Sequence, residues 1–232
     1  MAKIVEGVAY DLEGDVVDTE FIHHGGHLYS ASQAGLQLTI PQAIKVIPHF
    51  IGGPDNAIAE EISALSGGKR SPAEIADDKK SYYDEQLAKL TKIEPRPGFL
   101  RFLEYVKNRG IPVAIGSLTV REQALVLLQA SGLDRLFPAD HIVLRDGVRE
   151  VKPSPEVWLK TAFLMGIDPA RQIVFDDSPN GILAAVRAES RAYGMPVYYQ
   201  MREVKTALRK AGTTRIFRSW NEVYRIRARI IG

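Results

Sequence analysis

A chain of 232 residues and 25.7 kDa can hold one full hydrophobic core plus an extra module, which excludes a small scaffold held together by disulfides or metal. Its 45% hydrophobic and 25% charged content is that of an ordinary globular protein, and 30 basic against 28 acidic side chains leave +2, too little for the broad field of a dedicated nucleic-acid binder. There is no cysteine, no run near the ~20 apolar residues that span a bilayer, and no signal-like apolar stretch in MAKIVEGVAYD, so a soluble cytoplasmic protein is expected, a monomer or weak dimer acting on a small molecule.

The first apolar run, Val5 to Tyr10, reads as a buried strand. From about Val17 to Pro95 the texture changes: Ile58-Ala59-Glu60-Glu61-Ile62 and Tyr82 to Leu90 are amphipathic, and Ser71-Pro72-Ala73-Glu74 sets a capping hydroxyl before a proline suited to a first helical turn. His23-His24-Gly25-Gly26-His27 has histidines four apart, but its two glycines weaken a helix, so these read as residues at the start of the inserted segment facing the cleft and not as a transition-metal site. Gly67-Gly68-Lys69 lacks the flanking residues of a P-loop and reads as a turn. Glu94-Pro95-Arg96-Pro97-Gly98 suits a hinge. The expected organisation is a core of residues 1–16 and 96–232 with a helical insertion at 17–95.

Beyond the hinge, Pro112 to Gly116, Ile142 to Leu144, Ile173 to Phe175 and Val197 to Tyr199 read as strands separated by helices. Thr119 and Glu122 form a capping box ahead of Ala124, Leu125, Leu127 and Leu128, with Gly132 as the stop; Ser154-Pro155-Glu156 opens another helix. The arginines at 215, 218, 225, 227 and 229, interleaved with Ile216, Phe217 and Trp220, read as a last strand and helix with a solvated face. The β-α alternation calls for an α/β fold: a doubly wound, Rossmann-like parallel sheet covered by helices on both faces.

In such a sheet ligands bind beyond the carboxyl ends of the strands. Asp11 and Glu13 fall there, sharing a strand face by period two, and Asp176-Asp177 end another strand. Four converging carboxylates call for a hard cation, and all-oxygen ligation suits Mg²⁺. Ser117-Leu118-Thr119 offers a hydroxyl and backbone N–H groups near a helix start, and Lys152 is a lone cation in a proline-rich turn. A metal, a lysine, a hydroxyl and a carboxylate nucleophile are the parts of phosphoryl transfer through an aspartyl-phosphate.

The motif DLEGDVVDTE, then Ser117, then Lys152-Pro153, then FDDSPNGILAA, resembles in order and spacing the haloacid dehalogenase superfamily, in its β-phosphoglucomutase-like branch with an α-helical cap domain. The resemblance covers nearly the whole chain. It implies that Asp11 is the nucleophile and that Glu13 occupies the acid/base position and lends its backbone carbonyl to the metal. It further implies that Ser117, Leu118 and Lys152 hold the phosphoryl group, that Asp176 and Asp177 ligate Mg²⁺, and that His23 stands where relatives often carry a substrate-side histidine.

Two positions depart from that pattern. The family's phosphatases and mutases carry aspartate where this chain has Glu13, and one extra methylene moves the carboxyl by on the order of 1 Å, a shift that elsewhere costs ~10²-fold. In Gly52-Gly53-Pro54-Asp55-Asn56 the sugar-phosphate mutases place an arginine for a second phosphate, and Asp55 would repel one. The leading expectation is a Mg²⁺-dependent phosphatase of a small phosphorylated metabolite. The alternatives are a catalytically weak phosphometabolite-binding or regulatory protein and a sugar-phosphate mutase.

Overall fold

The computed structural model describes residues 5–51 and 53–232; Gly52, in the expected turn beside Asp55, lies outside them. By compactness the chain divides into two units, Met1–Asp18 with Lys92–Gly232, and Thr19–Thr91. The insertion is thus shorter than 17–95 at both ends. Val17 bridges antiparallel to Pro95, and the Arg96 N–H donates to the Val16 carbonyl at 2.7 Å, which ties both ends of the excursion to the first unit.

In the first unit β1 (Gly7–Tyr10) is buried along its whole length. A strand with no exposed face must be covered on both sides, which is the condition for an all-parallel sheet. It pairs in parallel with β2 (Val113–Gly116) and β4 (Gln172–Asp176). With β3 (Ile142–Val143), β5 (Arg191–Gly194) and β6 (Arg215–Ile216) the six-stranded order is β3-β2-β1-β4-β5-β6, every pair parallel. The flanking helices are α5 (Phe99–Lys107), α6 (Arg121–Ser131), α7 (Glu156–Leu164), α8 (Pro179–Arg187), α9 (Arg202–Lys210), α10 (Trp220–Arg225) and α11 (Arg227–Ile231). The expected doubly wound α/β fold is what forms. The order reverses between β1 and β4, so the crevice beyond their carboxyl ends is where such sheets take ligands.

Tyr10 anchors an aromatic core, 5.2 Å from Phe99 and 5.8 Å from Phe175 between ring centroids, with Trp220 at 4.8 Å from Phe175. Trp220 is fully buried and donates its indole N–H to the Asp15 carbonyl at 3.0 Å, fastening the start of α10 to the turn that follows β1. No helix among the described residues is long and apolar enough to cross a membrane.

Two expectations about elements are corrected. Val197–Tyr199 is a turn, and the strand is Arg191–Gly194. The Met195 N–H still bonds the Asp176 carbonyl, but Pro196 brings no N–H to continue the ladder, so the Val-Tyr-Tyr run cannot extend it. Thr119 does not cap α6, whose N-cap is Val120 without a side-chain hydrogen bond; the Thr119 hydroxyl meets Ser117 instead. The stop at Gly132, with φ of 71°, is as expected.

The second unit holds α1 (Glu20–Gln33), α2 (Ile40–Val46), α3 (Asp55–Leu65) and α4 (Pro72–Ala88) around Ile47, Phe50, Ile58, Ile62 and Ile75. Ser71 and Glu74 form the capping box that opens α4. The glycines at 25 and 26 do not interrupt α1. A Cβ at Gly25 would lie 2.9 Å from the Tyr82 hydroxyl oxygen, and one at Gly26 would lie 3.3 Å from the Lys79 carbonyl oxygen. The helix accepts the cost of two glycines because their bare faces let α4 approach.

Glu20 and His24 pair on α1 at 3.0 Å, both largely buried. Burial alone would lift the Glu20 carboxyl, but the hydrogen bond and charge of His24, with the charges of His23 and His27, bring it down to about 2 from 4.5. A carboxyl depressed by folding stabilises above its unfolded pKa and loses that contribution as pH falls toward the folded value. Glu20→Gln should therefore cost on the order of 2 kcal/mol at pH 7, with the gap to the parent closing between about pH 4.5 and 2. Thermal melting across that range reads the difference directly, and a gap independent of pH would sink the assignment.

Candidate active site

Asp11 follows β1 directly, its N–H donating to the Phe175 carbonyl of β4 at 2.9 Å, so the end of one central strand is fixed on the other. The chain then turns: the N–H groups of Val16 and Val17 bond the Leu12 carbonyl, and that of Gly14 bonds the Val17 carbonyl. Gly14 has φ of +76°, and a Cβ there would stand 2.4 Å from Asp177 Oδ2. Only glycine lets this turn close against the second acidic strand end. Because the strand stops at Tyr10, the expected period-two face shared by Asp11 and Glu13 does not form.

Asp11, Asp176 and Asp177 are all buried and bring one carboxylate oxygen each within 4.8 Å of one another. Among the described residues this group closes at three carboxylates. The Glu13 side chain, expected as a fourth, is not in it, although its charge still raises the Asp11 pKa. Lys152 Nζ lies 2.8 Å from both Asp11 Oδ1 and Asp176 Oδ2. Asp176 Oδ1 accepts from the N–H and the hydroxyl of Ser178, each at 2.8 Å, and Ser178 caps α8. A Cβ at Gly181 would fall 1.8 Å from Asp176 Oδ2, so glycine is required here as well.

Burial lifts the Asp11 carboxyl to about 7 against the pull of Lys152, with Asp176 and Glu13 adding to the rise. Lys152 is also buried, which works against its charge, yet the two carboxylates more than reverse this and hold it protonated. One ammonium among three buried carboxylates leaves an excess of negative charge. The donors are hard oxygens, so the set fits a divalent cation of the Mg²⁺ type.

Beneath Lys152 lies a residue that sequence reading missed. Trp158 of α7 is fully buried, its ring 4.6 Å from Lys152 Nζ, and it donates Nε1–H to the Gly181 carbonyl at 3.1 Å. A Cβ at Gly116, at the end of β2, would sit 2.5 Å from the same ring. Six positions after a lysine in a strand-end turn, an aromatic on the buried face of the next helix was the available signal.

Ser117 and Leu118 follow β2, the strand beside β1, with Ile115 in register with Tyr10. The Ser117 N–H is taken by the Val143 carbonyl, so of the expected backbone donors Leu118 remains, and its N–H bonds no backbone carbonyl among the described residues. His23 belongs to the helical unit, its Nδ1 3.2 Å from Lys79 Nζ and its ring 4.5 Å from that of Tyr83. The His23-to-His27 cluster is divided among separate partners: His24 takes Glu20 and stacks on Phe50, while His27 meets Asp55 at 3.4 Å. Asp55 also binds the buried Lys79 at 2.7 Å, and although burial works against it, His27 and Lys79 hold its carboxyl well below the usual range.

The family model for haloacid dehalogenase-like hydrolases matches residues 5–189. A phosphorylated carbohydrates phosphatase of Thermotoga maritima is 30% identical over 195 residues, covering 82% of this chain and 85% of that protein. Fructose-1-phosphate phosphatase YqaB of Escherichia coli is 31% identical over 191 residues, covering 82% and 93%. Among solved structures, a haloacid dehalogenase-like protein of unknown function from Agrobacterium tumefaciens superposes with a TM-score of 0.85 at 22% identity, covering 98% of this chain and all of that one.

Proposed function

Because the chain belongs to the haloacid dehalogenase-like hydrolases, we propose that it is a Mg²⁺-dependent phosphatase that hydrolyses a small phosphorylated metabolite through an aspartyl-phosphate on Asp11. The observation that carries the reading is the buried group of Asp11, Asp176 and Asp177 with Lys152 bridging two of them, at the carboxyl ends of β1 and β4. The phosphatase names of two relatives at about 30% identity support the reaction class.

Asp176 and Asp177, with Asp11, would hold the cation, which when bound neutralises phosphoryl oxygens and so lowers the cost of bringing a carboxylate to phosphorus. Asp11 attacks; the new Asp11–phosphorus bond forms as the ester P–O bond breaks, and the leaving alkoxide takes a proton from Glu13. Water, its proton returned to Glu13, then attacks phosphorus, and the Asp11 carboxylate leaves as inorganic phosphate is freed. Lys152, Ser117 and the Leu118 N–H hold the phosphoryl oxygens, placed before the reaction begins by the contacts around them. Acid/base help is worth roughly 10²–10⁴-fold, so a misplaced Glu13 would slow the enzyme and not silence it. Asp55, bound by Lys79 and His27, offers no cation to a second phosphate, which favours phosphatase over mutase.

Asp11→Asn should reduce phosphate release from an aryl phosphate and a panel of phosphate esters to background, with the melting temperature little changed. Chelation of Mg²⁺ should do the same to the parent. An unchanged rate removes Asp11 from the mechanism. Parent protein that is stabilised by phosphate esters but turns none over would instead favour a binding or regulatory role, which the displacement of Glu13 from the acidic group would explain.

A further inference from the structure

We propose that Thr119 is a positioning residue that aims the Ser117 hydroxyl, and so makes Ser117 a phosphoryl-oxygen donor; this rests on the assignment of Ser117 to the phosphoryl group. Thr119 has the residue type and spacing of a helix cap, yet α6 begins without it, and its hydroxyl has Ser117 as its sole partner among the described residues. Thr119 Oγ1 lies 2.9 Å from Ser117 Oγ, and the Thr119 N–H donates to the same oxygen at 3.3 Å. The Thr119 carbonyl accepts from the Arg145 N–H, which holds this loop to the segment after β3.

A serine hydroxyl accepts two hydrogen bonds and donates one. Either hydroxyl can donate across the 2.9 Å contact; in the arrangement proposed here the Thr119 O–H is the donor, so that it and the Thr119 N–H fill both lone pairs of Ser117 Oγ and leave the Ser117 proton to be given away from Thr119. Ser117 is 2% exposed, so water has little access to compete for that proton. The Leu118 N–H, which bonds no backbone carbonyl among the described residues, supplies a second donor from the same turn. A lone serine in this place could point its proton at any acceptor within reach. The Ser117–Thr119 pair removes that freedom before an anion arrives, and donors fixed in advance lose less on binding.

The test is titration calorimetry with inorganic phosphate in the presence of Mg²⁺. Thr119→Val, which keeps the shape and deletes the hydroxyl, should weaken binding about tenfold, the worth of one hydrogen bond to a charged oxygen. Thr119→Ser should restore it to within about twofold, a rescue that a purely packing role would not produce. Introduced into Ser117→Ala, Thr119→Val should cost nothing further, because its effect runs through the missing hydroxyl. Additive losses would mean that Thr119 acts by itself, and parent-like binding by Thr119→Val would mean that it does not act; either result overturns the proposal. Phosphate that fails to bind even the parent protein would overturn the phosphoryl assignment of Ser117, and with it this one.

Discussion

Lys152→Met is expected to be the most damaging single substitution in the core. It keeps the length and an apolar stem but deletes the ammonium that lies over Trp158, so Asp11 and Asp176 remain buried with no positive charge at 2.8 Å. Removing one side of a buried ion pair costs about 3–5 kcal/mol, because the other side is left uncompensated in a place water does not reach. Here one lysine serves two carboxylates, so the upper part of that range is expected. Turnover should fall by at least about 10²-fold, since a charge fixed against developing phosphoryl oxygens is worth that much when lost. Denaturant melts should show the stability loss in metal-free protein and, if the proposed Mg²⁺ site is correct, partial recovery on adding Mg²⁺, since a cation held by the folded chain would replace some of the missing positive charge. A Lys152→Met protein as stable as the parent without Mg²⁺ would mean that the carboxylates are not charged as described.

Trp158→Ala is expected to cost about 3–5 kcal/mol, as for a fully buried aromatic whose neighbours cannot collapse into the space. Three pieces of the site rest on this ring: the Lys152 ammonium above it, Gly116 pressed against it, and the Gly181 carbonyl bonded to its N–H. The expected loss is therefore of order as well as of stability, and KM for a phosphate ester should rise along with the fall in melting temperature. Trp158→Phe separates these effects. It keeps the six-membered ring but loses the pyrrole half and with it the hydrogen bond to Gly181, so a cost of about 2–3 kcal/mol, below that of Trp158→Ala, with nearly parental KM is expected. If Trp158→Phe were as impaired as Trp158→Ala, the N–H and not the ring would be the support.

The parts of this protein that could be read from its residues are those where chemistry and chain order coincide. Asp11 and Asp176 were legible because a carboxylate at the end of a buried apolar run has few structural uses, and the sheet order brings those strand ends together; Lys152 was legible as a lone cation in a proline-rich turn. What stayed hidden depends on contacts between distant segments. The strand Arg191–Gly194 carries no β-branched residue and is a strand because β4 and β6 flank it, while the more strand-like Val197–Tyr199 is cut off by Pro196. Gly25 and Gly26 look like helix breakers until Tyr82 and Lys79, more than fifty positions away, press against them. Two local readings failed by small margins: the strand face shared by Asp11 and Glu13 needed β1 to run past Tyr10, and the Thr119 cap needed α6 to begin one residue earlier than it does.

The bridge between Val17 and Pro95, with Arg96 bonded to the Val16 carbonyl, makes the points of departure and return of the helical segment immediate neighbours. Seen from the sheet, the segment 19–91 is a detour that begins and ends at one doorway. The entropy of closing a detour grows only with the logarithm of its length, so the sheet pays nearly the same for a short loop as for four helices. Sequence change within the detour, including wholesale replacement by another fold whose ends lie equally close, leaves the hydrogen bonds of the strands untouched. The acidic group at the strand ends thus stands on hydrogen bonds that do not pass through the helical segment.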